Sequence, residues 1–290
     1  MILNGIEEIQ KLLPSVNLRL DSTRLDDFMN RAQQWVTDEI IGSDLEELLE
    51  IEVVEGGRDQ HEGLRLLVKR VIAPKAYLTF GDEMNLQLGE AGMVVQNNEA
   101  VSAASSQRRD NLMSSLQTRL DEDCDALVNY LLAHSVDRGE TDALYPDWRG
   151  TEQWAYMSLA FMPTLKEVRR HVPQGSNYTA HWETMHNARM GMSIAMMDTA
   201  ASYVSRAEIM RLRELYRDDD LNAVQREADD RLRDVAVCLA VGDRQRAVQA
   251  AIHARDVMIG SMADFAEFAA SDCVNLPGVD FNAGHIVDTL

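Results

Sequence analysis

Apolar residues recur every three or four positions along most of the chain, a spacing that predicts amphipathic helices. One stripe starts near Leu25 and ends at Gly42, where a glycine can adopt the left-handed conformation that closes a helix. A second helix, from about 61 to 80, contains Pro74, and a third, from about 105 to 134, is the longest. The apolar stripe of the third helix consists of Leu112, Leu116, Leu120, Cys124, Leu127 and Leu131.

Two shorter patterns lie between these helices. Ser43 followed by Glu46 is a capping-box pattern and predicts the start of a short helix. Around 85–96 apolar and polar residues alternate, and Gly89 and Gly92 bracket a turn, which predicts a small β-hairpin. Since an isolated hairpin is only marginally stable in water, we expect it to lie on helices or on a neighbouring subunit.

The domain organisation predicted from these patterns has four parts. Residues 1–134 form a helical module that includes the hairpin, and 135–152, with Gly139 and Gly150, form a linker or hinge. A second helical module covers 153–270, and 271–290 form an irregular C-terminal tail. The second module contains helices at about 151–160, 164–171, from 178, 205–216, 221–241 and 244–270.

The two modules resemble each other in pattern. In the first, a helix ending near Phe80-Gly81-Asp82 precedes a long helix, and in the second a helix ending near Val241-Gly242-Asp243 does the same. The second copy has no hairpin. The expected fold is therefore all-α, with two related helical-bundle modules and one small β-hairpin in the first.

Charge excludes several classes of function. The 290 residues include 28 Lys and Arg against 48 Asp and Glu, a net charge of −20. So acidic a surface repels nucleic-acid backbones and anionic membranes. Because 24 of the 28 basic residues are arginines, we expect charge pairs within or between subunits. Glu7 and Glu8 stand where a signal peptide would be basic, and no stretch is apolar enough to span a membrane, so we expect a protein made in the cytosol.

The motif search gives one metal-site pattern and no catalytic residue. Nucleotide-binding, hydrolase, zincin and calcium-loop motifs are all missing, and the three cysteines have no zinc-type spacing. Glu183-x-x-His186 matches half of the di-iron site of ferritin-like bundles, but a second copy is missing. We therefore interpret Glu183 and His186 as a solvated or packing pair and expect no metal and no cofactor.

Acidic runs receive structural interpretations. Asp218, Asp219 and Asp220 are expected to cap the helix that begins at Leu221. The carboxylates at 121, 122, 123 and 125 fall on several faces of one helix, so we expect them to be exposed.

Candidate interface residues come from the hairpin and from an aromatic cluster. Tryptophan and tyrosine are favoured interface anchors, although such a cluster also plugs domain junctions. The methionine-rich stretch at 185–197 suits a core helix better than an interface. The candidates are Leu86, Leu88, Met93, Val95, Trp148 and Trp154.

The region from 20 to 134 resembles uncharacterised phage and prophage proteins of Bacteroides-type hosts, similar in plan to phage head-tail connector (adaptor) proteins. The resemblance lies in the helix from Leu25 to Ile41 around Trp35, the stretch from Leu64 to Leu78, the hairpin from Leu86 to Val95, and the long helix to Tyr130. The family plan is usually a single helical module, so a duplicated chain departs from it.

The resemblance implies a non-enzymatic virion structural protein that is assembled in the host cytoplasm. Such a protein forms a homo-oligomeric ring between the phage portal protein and tail or stopper proteins, and DNA passes it without specific binding. Two alternatives stay open: an acidic cytosolic regulatory adaptor or DNA mimic, and a ferritin-like metal enzyme using Glu183 and His186.

Overall fold

The structure, a computed structural model, describes residues 2–3, 5–14, 22–51, 59–84, 87–89, 92–94, 106–137 and 143–276. The chain is mostly helical, which confirms the all-α class. Within these ranges none of the helices is long and apolar enough to cross a bilayer. The α-helices are α1 (Gly5–Leu12), α2 (Ser22–Val36), α3 (Ser43–Glu50), α4 (Glu62–Met84), α5 (Ser106–His134), α6 (Glu152–Met157), α7 (Leu165–Arg170), α8 (Trp182–Val204), α9 (Arg206–Asp218), α10 (Ala223–Ala240), α11 (Arg244–Gly260) and α12 (Ala266–Ala269).

Shorter elements complete the fold. A π-helical turn continues α2 over Thr37–Ile41, and 3-10 turns cover Pro146–Gly150, Met262–Asp264 and Asp272–Asn275. Two strands, β1 (Gln87–Gly89) and β2 (Gly92–Val94), pair antiparallel with Leu88 opposite Met93. Leu86 and Val95, the other two hairpin residues named as interface candidates, lie outside the described residues.

The chain divides into two compact units. Unit 1 comprises Met1–Tyr156, Thr164–Lys166 and Ala180–His186, and unit 2 comprises Met157–Pro163, Glu167–Thr179 and Asn187–Leu290. This differs from the linker predicted at 135–152, because the described part of that segment belongs to unit 1. Tyr145 and Trp148, which the sequence pattern places in a loop, are 2% and 1% exposed and hold the segment in the core of that unit.

In unit 1, α4 packs against both α2 and α5. Phe28 of α2 and Phe80 of α4 meet edge to face, with ring centroids 5.2 Å apart. The helix α4 continues through the buried Pro74 and past the predicted end at Phe80 to Met84. The fully buried side chains of α4 and α5 include Leu64, Val68, Val71, Ile72, Ala76, Cys124, Leu127 and Leu131.

In unit 2, α10 packs along α11, and α9 contacts α12. Gly242, with a φ of +83°, turns the chain between α10 and α11, and the side chain of Asp243 caps α11 by accepting from the amide of Arg246. The helix predicted over 244–270 ends at Gly260, and 277–290 lie outside the described residues. Small side chains allow the two helices to approach, namely Ala228 and Ala236 on α10 and Ala247, Ala251 and Ala254 on α11.

The predicted end of the first helix at Gly42 is confirmed, whereas the capping box predicted at the start of the short helix that follows it is not. Gly42 closes the π-helical turn with a φ of +82°, as predicted, and a Cβ there would lie 3.2 Å from Oε1 of Gln153. The predicted capping box is wrong. Ser43 is the first residue of α3 and makes no cap, while the Glu46 carboxylate accepts a hydrogen bond from Gln33 of α2 instead.

Candidate functional site

The Glu-x-x-His pattern lies in the first turns of α8, where each side chain has a partner from another helix. Glu183 Oε2 is 2.8 Å from Lys75 Nζ, and His186 Nε2 is 2.7 Å from Glu39 Oε2. The two side chains therefore bind separate partners. In the described part of the chain, no three His, Cys, Asp or Glu side chains are arranged to hold a metal ion. Each side chain of the pattern contacts its own partner from another helical segment, as expected of a packing pair.

Aromatic rings enclose this part of α8. The His186 ring is buried and stacks on the ring of Trp182, with centroids 4.7 Å apart. Trp182 meets Trp35 edge to face at 5.7 Å, and Lys75 Nζ lies 4.5 Å from the centre of the Trp35 ring. The hydroxyl of Tyr156 donates to the His186 carbonyl. The arrangement fixes the imidazole by stacking and hydrogen bonding, as in a packed junction of helices.

Glu39 reaches His186 from the π-helical turn at the end of α2. A π-helical turn places one extra residue in the turn, and such turns are frequent at functional sites. The next residue, Ile40, accepts a hydrogen bond at its carbonyl from Trp148 Nε1 at 2.9 Å, and the Asp38 carbonyl accepts one from Gln153. The turn thus carries contacts to three later segments of unit 1.

Carboxylates on α5 cap two other segments of unit 1. Asp121 Oδ1 accepts from the amide of Trp182 at 2.9 Å, at the start of α8, and Oδ2 lies 2.9 Å from His181 Nδ1. Asp125 accepts from the amides of Leu165 and Lys166 at 2.7 and 2.8 Å, at the start of α7. An aspartate that accepts from free amides at a helix start stabilises that helix, here across more than 40 positions of the chain.

The prediction that these carboxylates are exposed is wrong for Asp121 and Asp123, which are 4% and 1% exposed. Burial raises the pKa of Asp123, although Arg70 and Arg119 favour its charged form from 2.5 and 3.5 Å. The sequence contains a signal for the burial of Asp123. Asp123 lies three positions after Leu120 and four before Leu127, both members of the apolar stripe of α5, so helix geometry places it on the buried face.

Unit 2 uses a buried carboxylate in the same way. Glu208 of α9 is fully buried, and it accepts from the amide of Phe268 in α12 and from Arg211, both at 2.8 Å.

The acidic run at 218–220 does not cap α10. Asp219 closes α9 in a left-handed conformation, and Asn222 caps α10 in a capping box with Gln225.

The structure places the predicted interface tryptophans inside unit 1. Trp148 and Trp154 are each 1% exposed, with ring centroids 5.2 Å apart, and Arg149 stacks over Trp154. A partner could contact these two rings only if unit 1 opened. Of the methionine-rich stretch, Met185 and Met196 are buried, whereas Met190 is 47% exposed.

One protein-family model matches the chain, over residues 10–157, and it describes a family of unknown function, DUF6712. The chain belongs to this family. The DUF6712 match ends one residue beyond Tyr156, the end of the long stretch of unit 1, so family model and compact unit agree on this boundary. It includes the turn at Glu39 and the capping residues Asp121 and Asp125. No curated protein and no solved structure matches the chain.

Proposed function

We propose that this DUF6712 protein is a non-enzymatic virion structural protein, a head-tail connector that forms a ring between the portal and tail or stopper components. The resemblance to connector proteins over 20–134 supports the proposal, and that region lies inside both the family match and unit 1. In this proposal the ring is built from copies of the same chain and is assembled in the host cytoplasm.

The hairpin is the observation that carries the proposal. Strands β1 and β2 have three residues each and pair only with each other within the described residues, so both outer edges lack a partner strand there. A two-stranded ribbon this short is marginal in water, and an open strand edge is a template for pairing with another chain. Strand addition from a neighbouring copy would complete it.

The distribution of charge supports a ring through which DNA passes. Unit 1 contains 15 Lys and Arg against 30 Asp and Glu, a net charge of −15, whereas unit 2 contains 13 against 18, a net charge of −5. If unit 1 lines the channel, its field repels phosphate groups and keeps DNA from sticking. The same charge also suits a DNA mimic, which would bind a basic groove on another protein.

The proposal further treats the two units as related modules. In each, a helix packs along the next long helix in the chain, α4 along α5 and α10 along α11. When Phe80-Gly81-Asp82 is aligned with Val241-Gly242-Asp243, Val71 of α4 falls on Leu232 of α10, and both side chains are fully buried. This pairing supports a duplication of one helical plan.

Assembly of the full-length protein tests the function. Light scattering after size exclusion, and negative-stain images with and without portal protein, should show a closed ring. The double variant Leu86→Asp with Leu88→Asp should prevent ring formation and leave the far-ultraviolet spectrum and melting temperature unchanged. Leu144→Asp, which changes a 38% exposed leucine elsewhere in unit 1, is the matched control and should still assemble.

Three outcomes would contradict the proposal. A wild-type protein that stays monomeric with portal protein present is not a connector. A defined monomer or dimer that competes with DNA for a basic protein indicates the DNA mimic. A hairpin variant that unfolds shows that the hairpin belongs to the core of its own chain.

A further inference from the structure

An exposed apolar face lies on α8 and α9 of unit 2. Met190 and Ile194, four positions apart on α8, are 47% and 54% exposed, and Met210 on α9 is 51% exposed. These are three of the large apolar side chains that the described surface leaves open to water, and they occupy two consecutive helices. Methionine is adaptable in shape and is enriched in protein interfaces.

Beside this face lies a cation that has no counter-charge among the described residues. Arg213, three positions after Met210, donates from Nη2 to the hydroxyl of the buried Ser193 at 2.7 Å, and this bond joins α9 to α8 next to Ile194. Burial lowers the pKa of Arg213. Its Nε is buried without a hydrogen-bond partner, and no carboxylate in the described part of the chain contacts its guanidinium.

Two other arginines of α9 do have a carboxylate partner. Arg206 pairs with Asp198 at 2.9 Å, and Arg211 pairs with Glu208 at 2.8 Å. A half-buried guanidinium with only a serine partner has lost hydration without gaining a counter-ion. A carboxylate brought by another molecule would supply the missing charge, and the apolar side chains around it would keep water away.

Unit 1 offers a surface of the complementary kind. Ile51 and Leu66 are 64% and 50% exposed. Ile51 lies four positions after Glu47, and Leu66 lies four positions after Glu62. Both glutamates are exposed, and within the described residues neither carboxylate pairs with a cation. Arg65 holds the end of α3 beside the start of α4, because its Nε and Nη2 donate to the carbonyls of Leu49 and Ile51 at 3.0 and 3.3 Å. The four side chains therefore lie on neighbouring parts of unit 1.

We infer that the α8/α9 face of one copy docks the acidic and apolar surface around Ile51 and Leu66 of a second copy, with Glu47 or Glu62 meeting Arg213. The two surfaces differ, so the contact is heterologous, and repeated head to tail it closes into a ring if the rotation per subunit permits. Both units carry a net negative charge, −15 on unit 1 and −5 on unit 2, so a contact between copies is favoured where a guanidinium such as that of Arg213 meets carboxylates of unit 1. This inference rests on the proposed self-assembly and names its contact.

Substitutions on the exposed face give the first test. In the full chain, Ile194→Asp should raise the concentration at which half the protein is assembled by about tenfold or more, because a carboxylate would stand next to Glu47 or Glu62 in the contact. Ile259→Asp is the matched control, an isoleucine on α11 that is 39% exposed, and it should leave that concentration unchanged. Melting temperature and far-ultraviolet spectrum check that both variants fold.

A charge exchange gives the second test. Arg213→Glu alone should prevent assembly, and so should Glu47→Arg combined with Glu62→Arg. In a ring with an even number of subunits, an equimolar mixture of the two proteins should assemble with the variants alternating, because each contact then joins opposite charges. All three changes in one chain should restore assembly for the same reason. Arg226→Glu, at an arginine that already has Asp219 as a partner, should assemble like the wild type.

The outcomes separate this contact from the connector function. A wild-type ring that Ile194→Asp and Arg213→Glu leave intact overturns the inference and leaves the connector standing. A closed dimer that Ile194→Asp dissociates supports the contact and overturns the ring. A wild-type protein that never self-associates overturns both.

Discussion

Most of the ion pairs described in unit 1 connect parts of the chain that are far apart in sequence, whereas most of those described in unit 2 connect residues three or four positions apart. Lys75 and Glu183 are 108 positions apart, and Glu39 and His186 are 147 apart. In unit 2 the paired positions are three or four apart in Arg211–Glu208, Arg231–Asp234, Arg233–Asp229 and Arg246–Asp243. Unit 2 has one long-range pair of this kind in its described part, between His171 and Asp234, 63 positions apart.

The difference indicates what each set of charges does. An exposed pair within one helix, such as Arg246–Asp243, adds a few tenths of a kcal/mol to that helix and says nothing about the tertiary fold, whereas the carboxylates of Glu208 and Asp229 are buried. A buried carboxylate that bridges distant segments, such as Asp121, holds the tertiary structure itself, and its loss leaves donors without partners. The acidity of unit 1 is therefore partly internal structure as well as surface field.

Breaking the Asp121 contact should have the largest effect. Asp121→Ala removes the acceptor of the Trp182 amide and should lower the free energy of unfolding by about 3 kcal/mol. All four tryptophans of the chain belong to unit 1, so urea unfolding followed by tryptophan fluorescence reports on this unit. Asp121→Asn keeps an oxygen for the amide and should lose about 1 kcal/mol.

The matched control is Glu122→Ala, an exposed carboxylate on the same helix. It should change the free energy of unfolding by less than about 0.5 kcal/mol. An equal loss in both alanine variants would mean that the two carboxylates contribute in the same way, and that the bridge to α8 adds nothing.

A second prediction concerns Asp229, a carboxyl group of unit 2 whose pKa is strongly shifted. Burial raises the pKa of Asp229 from 3.8 to about 7, opposed by the ion pair with Arg233 and reinforced by the charge of Asp230. Between those values the folded unit holds a proton that the unfolded chain has released. Stability therefore falls as pH rises from 5 to 7, by up to about 1.4 kcal/mol per pH unit.

Asp229→Asn cannot titrate and should lose this dependence. Urea unfolding followed by far-ultraviolet circular dichroism, compared with the tryptophan signal of unit 1, measures it. The control Asp256→Asn, at an exposed position of α11, should keep the wild-type slope. A slope that persists in Asp229→Asn would assign the titration to another group.

The comparison also shows what could be predicted from the sequence. The spacing of apolar residues predicts the helix positions in both units. The helix end at Gly42 is also predictable, because it depends on residues that are close together in the sequence. The local pairs of unit 2 are visible as charges three or four positions apart. The hydrogen bond from the Trp182 amide to Asp121 is not visible in this way, because nothing near Asp121 in the sequence specifies which distant amide it caps.

The same limit explains the errors at the candidate site. The sequence predicts Trp148 and Trp154 as interface candidates because they belong to an aromatic cluster around the predicted hinge and tryptophan is a favoured interface anchor. Whether such a ring faces a partner or its own core depends on a long-range hydrogen bond, here from Trp148 to the Ile40 carbonyl. The capping box failed for a related reason, since Gln33 of α2 takes the Glu46 carboxylate that the local pattern assigned to a cap.

The smallest effect is expected at the surface pair of Arg206 and Asp198, whose side chains are 60% and 62% exposed. Asp198→Asn should lower the free energy of unfolding of unit 2 by less than about 0.5 kcal/mol, because water screens both charges. Circular dichroism at low and at 1 M salt measures it, and any difference from wild type should vanish at high salt. A loss above about 1 kcal/mol that survives salt would mean that the pair bridging α8 and α9 carries tertiary structure. The contrast between the units would then lie in the distance between paired residues alone, and no longer in what the pairs contribute.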